Sequence, residues 1–253
     1  LFAEERSQEI LNILNKNGKV LVKDLSVKFK VSEGMIRKDL QKLEKHGKLK
    51  RTYGGAITNR QIAEKTTISN RKIKNLNKKE TISKKALTLI ENNDTIFLDI
   101  SSINLILAKL ISKSDKKITL ITNMIEIATI FDDTSNVKII CIGGIYDKKL
   151  GGIIGSEAID AILKYRVNKA FIGSCGVNLQ DNSISNFDLE EGNTKKAIIS
   201  SAKVSYLLME KEKFYYDGIY KFSHLNDIDG IICDAMPEQN ICKTLKKYNV
   251  SII

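Results

Sequence analysis

Val31-Ser32-Glu33-Gly34-Met35-Ile36-Arg37-Lys38-Asp39-Leu40-Gln41-Lys42-Leu43 is the stretch from which the rest of the chain can be read. Ser32 can accept a hydrogen bond from the free backbone N–H groups of a helix start, and Ile36, Leu40 and Leu43 recur at the spacing of one buried helical face. The opposite side carries Arg37, Lys38, Gln41, Lys42 and Lys45 at three- and four-residue intervals, so they form one basic strip. A charge run is usually a solvated helix face. Here the neighbouring segments give it another meaning.

Upstream, Leu21 to Lys30 places Leu21, Val22, Leu25 and Phe29 on one face, and only Val31 separates it from the Ser32 cap. Two helices so closely joined must cross steeply, as in a helix-turn-helix. Ile10, Leu11, Ile13 and Leu14 supply a third helix ending near Gly18. Downstream, His46-Gly47 closes the basic helix, and Lys48 to Ile57, with Gly54, Gly55 and alternating short apolar residues, has the pattern of a small hairpin or wing. Three helices and a wing make a DNA-binding module. Arg37, Lys38, Gln41 and Lys42 are expected at the groove, Lys48, Lys50 and Arg51 at phosphates, and Ser32 and Lys45 complete the expected DNA-binding set. Asp39 is expected to orient Arg37 or to cap a neighbour, and Met35 and Met124 to pack internally.

Charge supports this division. Of 253 residues, the first 80 hold 20 Lys and Arg against 9 Asp and Glu, and the remainder holds 21 of each, so the whole net charge of +11 lies at the N-terminal end. A basic module joined to a neutral one implies a polyanion partner for the first and a different task for the second. A membrane surface is disfavoured because no bulky aromatic face accompanies the charge. RNA is disfavoured because the stacking aromatics of single-strand recognition are missing. Cys141, Cys175, Cys233 and Cys242 are far apart and without a Cys-x-x-Cys pair, so they are expected to be reduced core residues rather than metal ligands. His46 and His224 are the only histidines, which argues against a zinc site and histidine triads. No signal peptide or long apolar run is evident, so a cytoplasmic protein that neither crosses nor anchors to a membrane is expected, without metal or cofactor and without catalytic residues.

Residues 1–57 are therefore expected to be a winged helix-turn-helix domain, 58–76 a polar linker, and 77–253 an α/β domain. From Thr95 onward β-branched runs alternate with helical patterns, which implies a largely parallel sheet covered on both faces. Ligands of such sheets sit where strands end and helices begin. Asp99-Ile100-Ser101-Ser102, Thr122-Asn123, Gly143-Gly144, Gly173-Ser174-Cys175-Gly176, Asp188 with Glu191 and Lys195, and Lys213 fall at such ends. Asp188 and Glu191 also form a capping-box-like arrangement, and the glycines could be simple turns.

Glu5-Arg6, Val31-Ser32 with Ile36-Arg37-Lys38-Asp39-Leu40, and Tyr53-Gly54-Gly55-Ala56 stand in the order and spacing that resemble the DeoR family of bacterial transcriptional repressors. The second half resembles that family's sensor domain, whose fold is shared with ribose-5-phosphate isomerase and coenzyme A transferases. The positions that match are Arg71, Asp99, Thr122, Asn123, Gly143, Gly144, Gly155, Gly173, Gly176, Glu191, Lys195 and Lys213-Phe214. The likeness implies a repressor of a carbohydrate-catabolism operon whose hold on a double-stranded DNA operator is set by a phosphorylated sugar. Together with Ser101, Ser102 and Asp188 from the strand and helix ends, it gives an expected effector site of Arg71, Asp99, Ser101, Ser102, Thr122, Asn123, Gly143, Gly144, Gly173, Gly176, Asp188, Glu191, Lys195 and Lys213. The chain departs from the family in its first loop, where Ser101, Ser102 and Ile103 replace Gly-Thr-Thr, and serine is expected to tolerate the turn less well than glycine. Reading two half-sites calls for a homo-oligomer. The alternative is an isomerase-like enzyme in which Asp99, Glu191 and Lys195 move a proton between carbons of a sugar phosphate.

Overall fold

A computed structural model describes residues 2–58 and 60–253, which form two compact units, Leu1–Gln61 and Ile62–Ile253. In the first, helix α1 (Ala3–Asn17) ends at Gly18 in a left-handed conformation. Strand β1 (Lys19–Leu21) leads into α2 (Val22–Phe29), whose C-cap Lys30 is left-handed with φ 54°, and α3 (Glu33–Lys45) follows at once. Ser32 caps α3 by accepting from the Met35 N–H at 3.3 Å, as expected. Strands β2 (Leu49–Thr52) and β3 (Gly55–Thr58) form the wing, and β1 joins them as an antiparallel partner of β3. The core of Ile10, Leu14, Val20, Leu25, Ile36, Leu40, Leu43 and Leu49 is the meeting of the three predicted apolar faces.

Three local expectations fail. Leu21 lies in β1 and is half exposed rather than on the α2 face, because pairing with Gly55 holds it in extended backbone. Met35 projects outward in the first turn of α3, ahead of Ile36, and is 44% exposed. Asp39 neither orients Arg37 nor caps a neighbour. It is buried on the inner side of α3 and takes two hydrogen bonds from Arg6 of α1, at 2.6 Å from Nε and 3.2 Å from Nη2. An Arg–carboxylate fork of this kind joins the first helix to the third.

The second unit is built on a seven-stranded parallel sheet. Its order is Ser251–Ile252, Gly230–Cys233, Ala202–Met209, Val167–Gly173, Thr95–Leu98, Ile118–Thr122, Val137–Cys141. Successive side chains of the central strands enter opposite cores: Phe97, Ile121, Leu207 and Ile231 pack on one face, and Ile96, Leu98, Leu120, Leu208 and Ile232 on the other. That alternation, apolar on both sides, is what a doubly covered parallel sheet requires. Helices Leu76–Thr88 and Ser102–Ile111 cover one face, and Leu189–Ser201 and Gln239–Lys247 the other. Beyond the sheet lie a hairpin, Ile145–Asp147 with Gly152–Ile154, and a three-stranded antiparallel sheet of Gly176–Asn178, Ser183–Asn186 and Tyr220–His224, which periodicity had not distinguished from loops.

The stretch expected to be a linker is largely part of this unit. Thr67 caps helix Ile68–Ile73, and Ile68, 6% exposed, packs into the sheet's core. Ile68 is the one apolar side chain of this stretch that is buried, and a single such position carries no period. Of the cysteines only Cys233 is fully buried; Cys141 ends the outermost strand on its outward side and is exposed, and Cys175 and Cys242 are intermediate. No helix among the described residues is long and apolar enough to cross a membrane.

Candidate functional site

In the N-terminal unit, Arg37, Lys38, Gln41, Lys42 and Lys45 are all exposed on the side of α3 turned away from the core. Arg37 is held by Glu33 one turn earlier, with Nη2 2.7 Å from Oε2. Glu44 accepts from the Arg51 N–H at 2.8 Å and faces its guanidinium at 3.9 Å, fixing the base of the wing to the end of α3. Lys48 and Lys50 are exposed beside it. The wing turns at Tyr53, fully exposed, and Gly54, with φ +79°. At Gly55 a methyl group would lie 2.0 Å from the Val20 carbonyl oxygen, so only glycine lets β3 approach β1. One face thus presents a basic helix and a basic hairpin. Ser32 belongs to this face by position, but its hydroxyl is engaged as the cap.

In the second unit the chain fills the sheet outward from the middle in both directions. Thr95–Leu98 is followed by the two strands on one side, and only then does Val167–Gly173 begin the other half. The adjacent C-terminal ends of these two strands form a topological switch point, where the connections diverge and leave a crevice. Asp99 stands at the end of the first strand and Gly173 at the end of the second. The Gly173 N–H donates to both Asp99 oxygens at 3.1 Å, and Asn104 Nδ2 donates to Asp99 Oδ1 at 2.7 Å and to the Phe171 carbonyl at 2.8 Å. A methyl group on Gly173 would meet Ser101 Cβ at 2.8 Å, so glycine is needed for this close approach.

Lys195 reaches the same point from helix Leu189–Ser201. Its Nζ donates to Asp99 Oδ2 and lies 3.3 Å from Glu191 Oε1, and all three side chains are at most 7% exposed. Burial alone would push the ammonium down, but the charges of Asp99 and Glu191 outweigh it and hold Lys195 above the ordinary lysine value. Burial likewise pushes Asp99 up, against the pull of Lys195 and the Gly173 N–H. These two directions oppose each other. With three donors making four hydrogen bonds to one carboxylate, the ionised pair is the better description.

A cavity of about 480 Å³ opens over this cluster. Seven cationic side chains line it, Lys65, Arg71, Lys74, Lys79, Lys149, Lys195 and Lys213, against the carboxylates Glu64, Glu191 and Glu210. Lys213 is 3.6 Å from Glu210 and donates to the Ser174 carbonyl at 2.7 Å. Among the described residues Lys65, Arg71, Lys79 and Lys149 have no carboxylate within 4.0 Å. Arg71 Nη2 donates to the Leu150 carbonyl at 3.4 Å, while its buried Nε has no partner. Lys79, 5% exposed, donates to the Arg71 carbonyl. Burial lowers Lys79 below the ordinary lysine value; Glu210 works against that shift, and Lys213, Arg71 and Lys74 reinforce it. Such an excess of charge in a partly closed space suits a multiply charged anion.

Arg71, Ser101, Ser102, Gly173, Glu191, Lys195 and Lys213 of the expected set line the cavity. Asp99 is fully buried and does not, and the six others are likewise outside its lining and serve the framework. The Thr122 hydroxyl donates to the Leu98 carbonyl and accepts from the Met124 N–H. Asn123 donates to the Ile153 carbonyl, which locks the hairpin to the sheet. Gly143 and Gly144 precede that hairpin, and Gly176 is glycine because a methyl group there would sit 1.9 Å from the Tyr216 carbonyl oxygen. Asp188 accepts from the Glu190 and Glu191 N–H groups and is the helix cap that its spacing allowed. The strain expected at Ser101 is absent: with φ −154° it is extended, and its hydroxyl caps helix Ser102–Ile111 by accepting from the Asn104 N–H at 3.0 Å. Lys79 and Asn186 were not foreseen. Nothing at the sequence level separates Lys79 from its lysine-rich surroundings or marks Asn186 as buried.

Residues 6–62 match the model of a DeoR-like helix-turn-helix domain and residues 74–235 that of a DeoR C-terminal sensor domain. The HTH-type transcriptional repressor GlcR of Bacillus subtilis is 30% identical, over 100% of this chain and 96% of that protein. The lactose phosphotransferase system repressor of Lactococcus lactis is 31% identical over 83% of each chain. The glycerol-3-phosphate regulon repressor of Escherichia coli is 28% identical over 98% of this chain and 97% of its own. Ribose 5-phosphate isomerase A of Neisseria gonorrhoeae aligns at 13% identity and a TM-score of 0.39, over 55% of this chain and 53% of that one. That last likeness is too slight to argue from.

Proposed function

Because the chain belongs to the DeoR family of transcriptional regulators, we propose that it represses a carbohydrate operon and that a phosphorylated sugar bound over Asp99, Glu191 and Lys195 releases it from its operator. The observation that carries this reading is the cavity at the switch point of the sheet, lined by cations of which four lack a carboxylate. A phosphomonoester supplies the missing negative charge, and its hydroxyls suit the remaining acceptors.

The expected division of labour follows. Arg37, Lys38, Gln41 and Lys42 read base edges in the major groove, Lys45, Lys48, Lys50 and Arg51 hold phosphates, and Ser32 fixes the start of the reading helix. Arg71, Lys79, Lys149 and Lys213 hold the effector's phosphate. Residues 63–75, which follow the DNA-binding unit in the chain, supply part of the cavity wall, including Thr67, Arg71 and Lys74. The effector therefore touches the segment that leads into that unit. Coupling of this kind is reciprocal: operator DNA must weaken the effector as much as the effector weakens the operator. Two copies acting together in the cytoplasm supply the two half-sites.

An isomerase reading is less well supported, because Asp99 is enclosed by Lys195, Gly173 and Asn104 and does not face the cavity. Thermal shift of the full chain against phosphorylated sugars and their unphosphorylated counterparts tests the proposal. An effector at a hundred times its Kd adds about 2.7 kcal/mol of stability. If only unphosphorylated compounds raise the melting temperature, the effector class is wrong.

A further inference from the structure

Resting on the reading of this cavity as the site of an anionic effector, we propose that Asn186 recognises the hydroxyl-bearing carbons of that effector and thereby separates a phosphorylated polyol or sugar from a bare phosphate. Asn186 ends strand Ser183–Asn186, is 1% exposed and lines the cavity. Neither its Nδ2 nor its Oδ1 has a hydrogen-bond partner. The other buried hydroxyls of that strand are served by the protein itself. Ser183 Oγ donates to Asp181, and Ser185 Oγ donates to the Gly176 carbonyl and accepts from the Gly218 N–H. Asn186 is the side chain of this strand left for something the protein does not supply.

The chemistry of that partner follows from the amide. It offers donors on one atom and an acceptor on the other. A phosphate dianion only accepts, so it would leave Oδ1 unpaired and buried, which native structures avoid. A hydroxyl both donates and accepts, and two hydroxyls on adjacent carbons, or a hydroxyl beside a carbonyl, match both amide atoms at once. Glu191, an acceptor lining the same cavity, favours hydroxyl donors and disfavours a second phosphate. The cations without carboxylate partners come from other elements: Lys65 from the segment before helix Ile68–Ile73, Arg71 from that helix, Lys79 from helix Leu76–Thr88, and Lys149 from the hairpin turn. The ligand is thus oriented, with its phosphate on Arg71, Lys79 and Lys149 and its hydroxyls on Asn186 and Glu191.

The test uses the full chain and two variants, Asn186→Leu, which keeps the volume, and Asn186→Ala, which leaves room. Each is titrated by calorimetry and followed by thermal shift with glycerol 3-phosphate, ribose 5-phosphate, fructose 1-phosphate and fructose 6-phosphate, against methyl phosphate and inorganic phosphate. The wild type should bind at least one of the hydroxylated esters about tenfold or more tightly than methyl phosphate, as two hydrogen bonds would give. Both variants should lose that preference, retain the response to methyl phosphate, and melt no lower than the wild type without ligand, since no protein partner is removed. If the wild type prefers none of the hydroxylated esters, or if both variants keep the preference, the role of Asn186 is overturned while the cavity remains an anion site. A fall in the unliganded melting temperature with the preference intact would mark Asn186 as structural only. If no phosphate compound affects the wild type, the effector reading itself fails.

Discussion

Replacing Asp39 by alanine strands the Arg6 guanidinium, whose side chain is 7% exposed, against the inner face of α3. Two hydrogen bonds to the carboxylate are lost, at 2.6 and 3.2 Å, and the guanidinium charge stays buried without the carboxylate that balanced it. Breaking a buried pair from one side typically costs about 3 to 5 kcal/mol. In a unit of only Leu1–Gln61 water is never far off, so the lower figure applies, about 3 kcal/mol. A core of this size rarely supplies more than about 3 to 5 kcal/mol in total, so the variant should leave this unit with at most about 2 kcal/mol of stability. Amide hydrogen exchange followed on peptides spanning Ile36–Leu43 measures this directly: protection should fall by about two orders of magnitude, while peptides of the strand Val167–Gly173 stay unchanged. Combining Asp39→Leu with Arg6→Met should restore most of the loss, because apolar replacement of both partners is often neutral. Protection within about threefold of wild type in Asp39→Ala would refute the reasoning, as would a double variant no better than the single one.

The other expectations concern both units. Arg37→Ala should erase preference among operator sequences at fixed salt by removing about 1 to 3 kcal/mol of discrimination, whereas Lys48→Ala or Lys50→Ala should weaken all duplexes alike and lower the salt slope by about one; retained preference in Arg37→Ala binding titrations would count against its place at base edges. Gly55→Ala should destabilise the wing, read as lost exchange protection in β1 and β3, because its methyl group meets the Val20 carbonyl at 2.0 Å. Lys195→Met leaves Asp99 buried with Glu191 and no cation, and denaturant unfolding should show a loss of about 3 to 5 kcal/mol. Lys79 sheds its proton at lower pH in the folded protein than in the unfolded chain, so stability of the ligand-free protein should rise as pH passes through the folded value and level off above the ordinary lysine value. Over the same range anion affinity should fall, and both trends should flatten in Lys79→Met; an unchanged profile in that variant would assign the titration elsewhere.

Much of the first unit was legible because its signals are local. The Ser32 cap, the Ile36, Leu40 and Leu43 stripe and the tight Gly54-Gly55 turn each act within a few residues. The Arg6–Asp39 pair joins positions 33 residues apart, and no local period announces it. In the second unit, alternation of strand and helix indicated a parallel sheet, but the strand order, and with it the switch point, depends on long-range pairing that no local pattern carries. Asp99, Glu191 and Lys195 were visible as charges at strand and helix ends, but which of them faced the cavity depended on packing. Thr122, Asn123, Gly176 and Asp188 occupy equally suggestive ends and turned out to hold the backbone, because a helix start needs a cap whether or not a ligand is near. The wall from Thr67 to Lys79 was obscured by its own composition. Its lysines look like those of a solvated connection until the burial of Ile68 and Lys79 is seen.

The cavity's polar lining comes from strand ends, a hairpin turn and the ends of several helices, whereas the two apolar layers of the sheet are built mainly by other side chains of the same elements. On the proposed reading, ligand preference and foldedness are then written largely in different side chains. If the proposed effector site is right, an exchange at Ser102, Lys149 or Asn186 should redirect the molecule to another small metabolite at little risk to the scaffold. Such an architecture can diversify one loop at a time, and a laboratory wishing to build a biosensor from it has the same freedom.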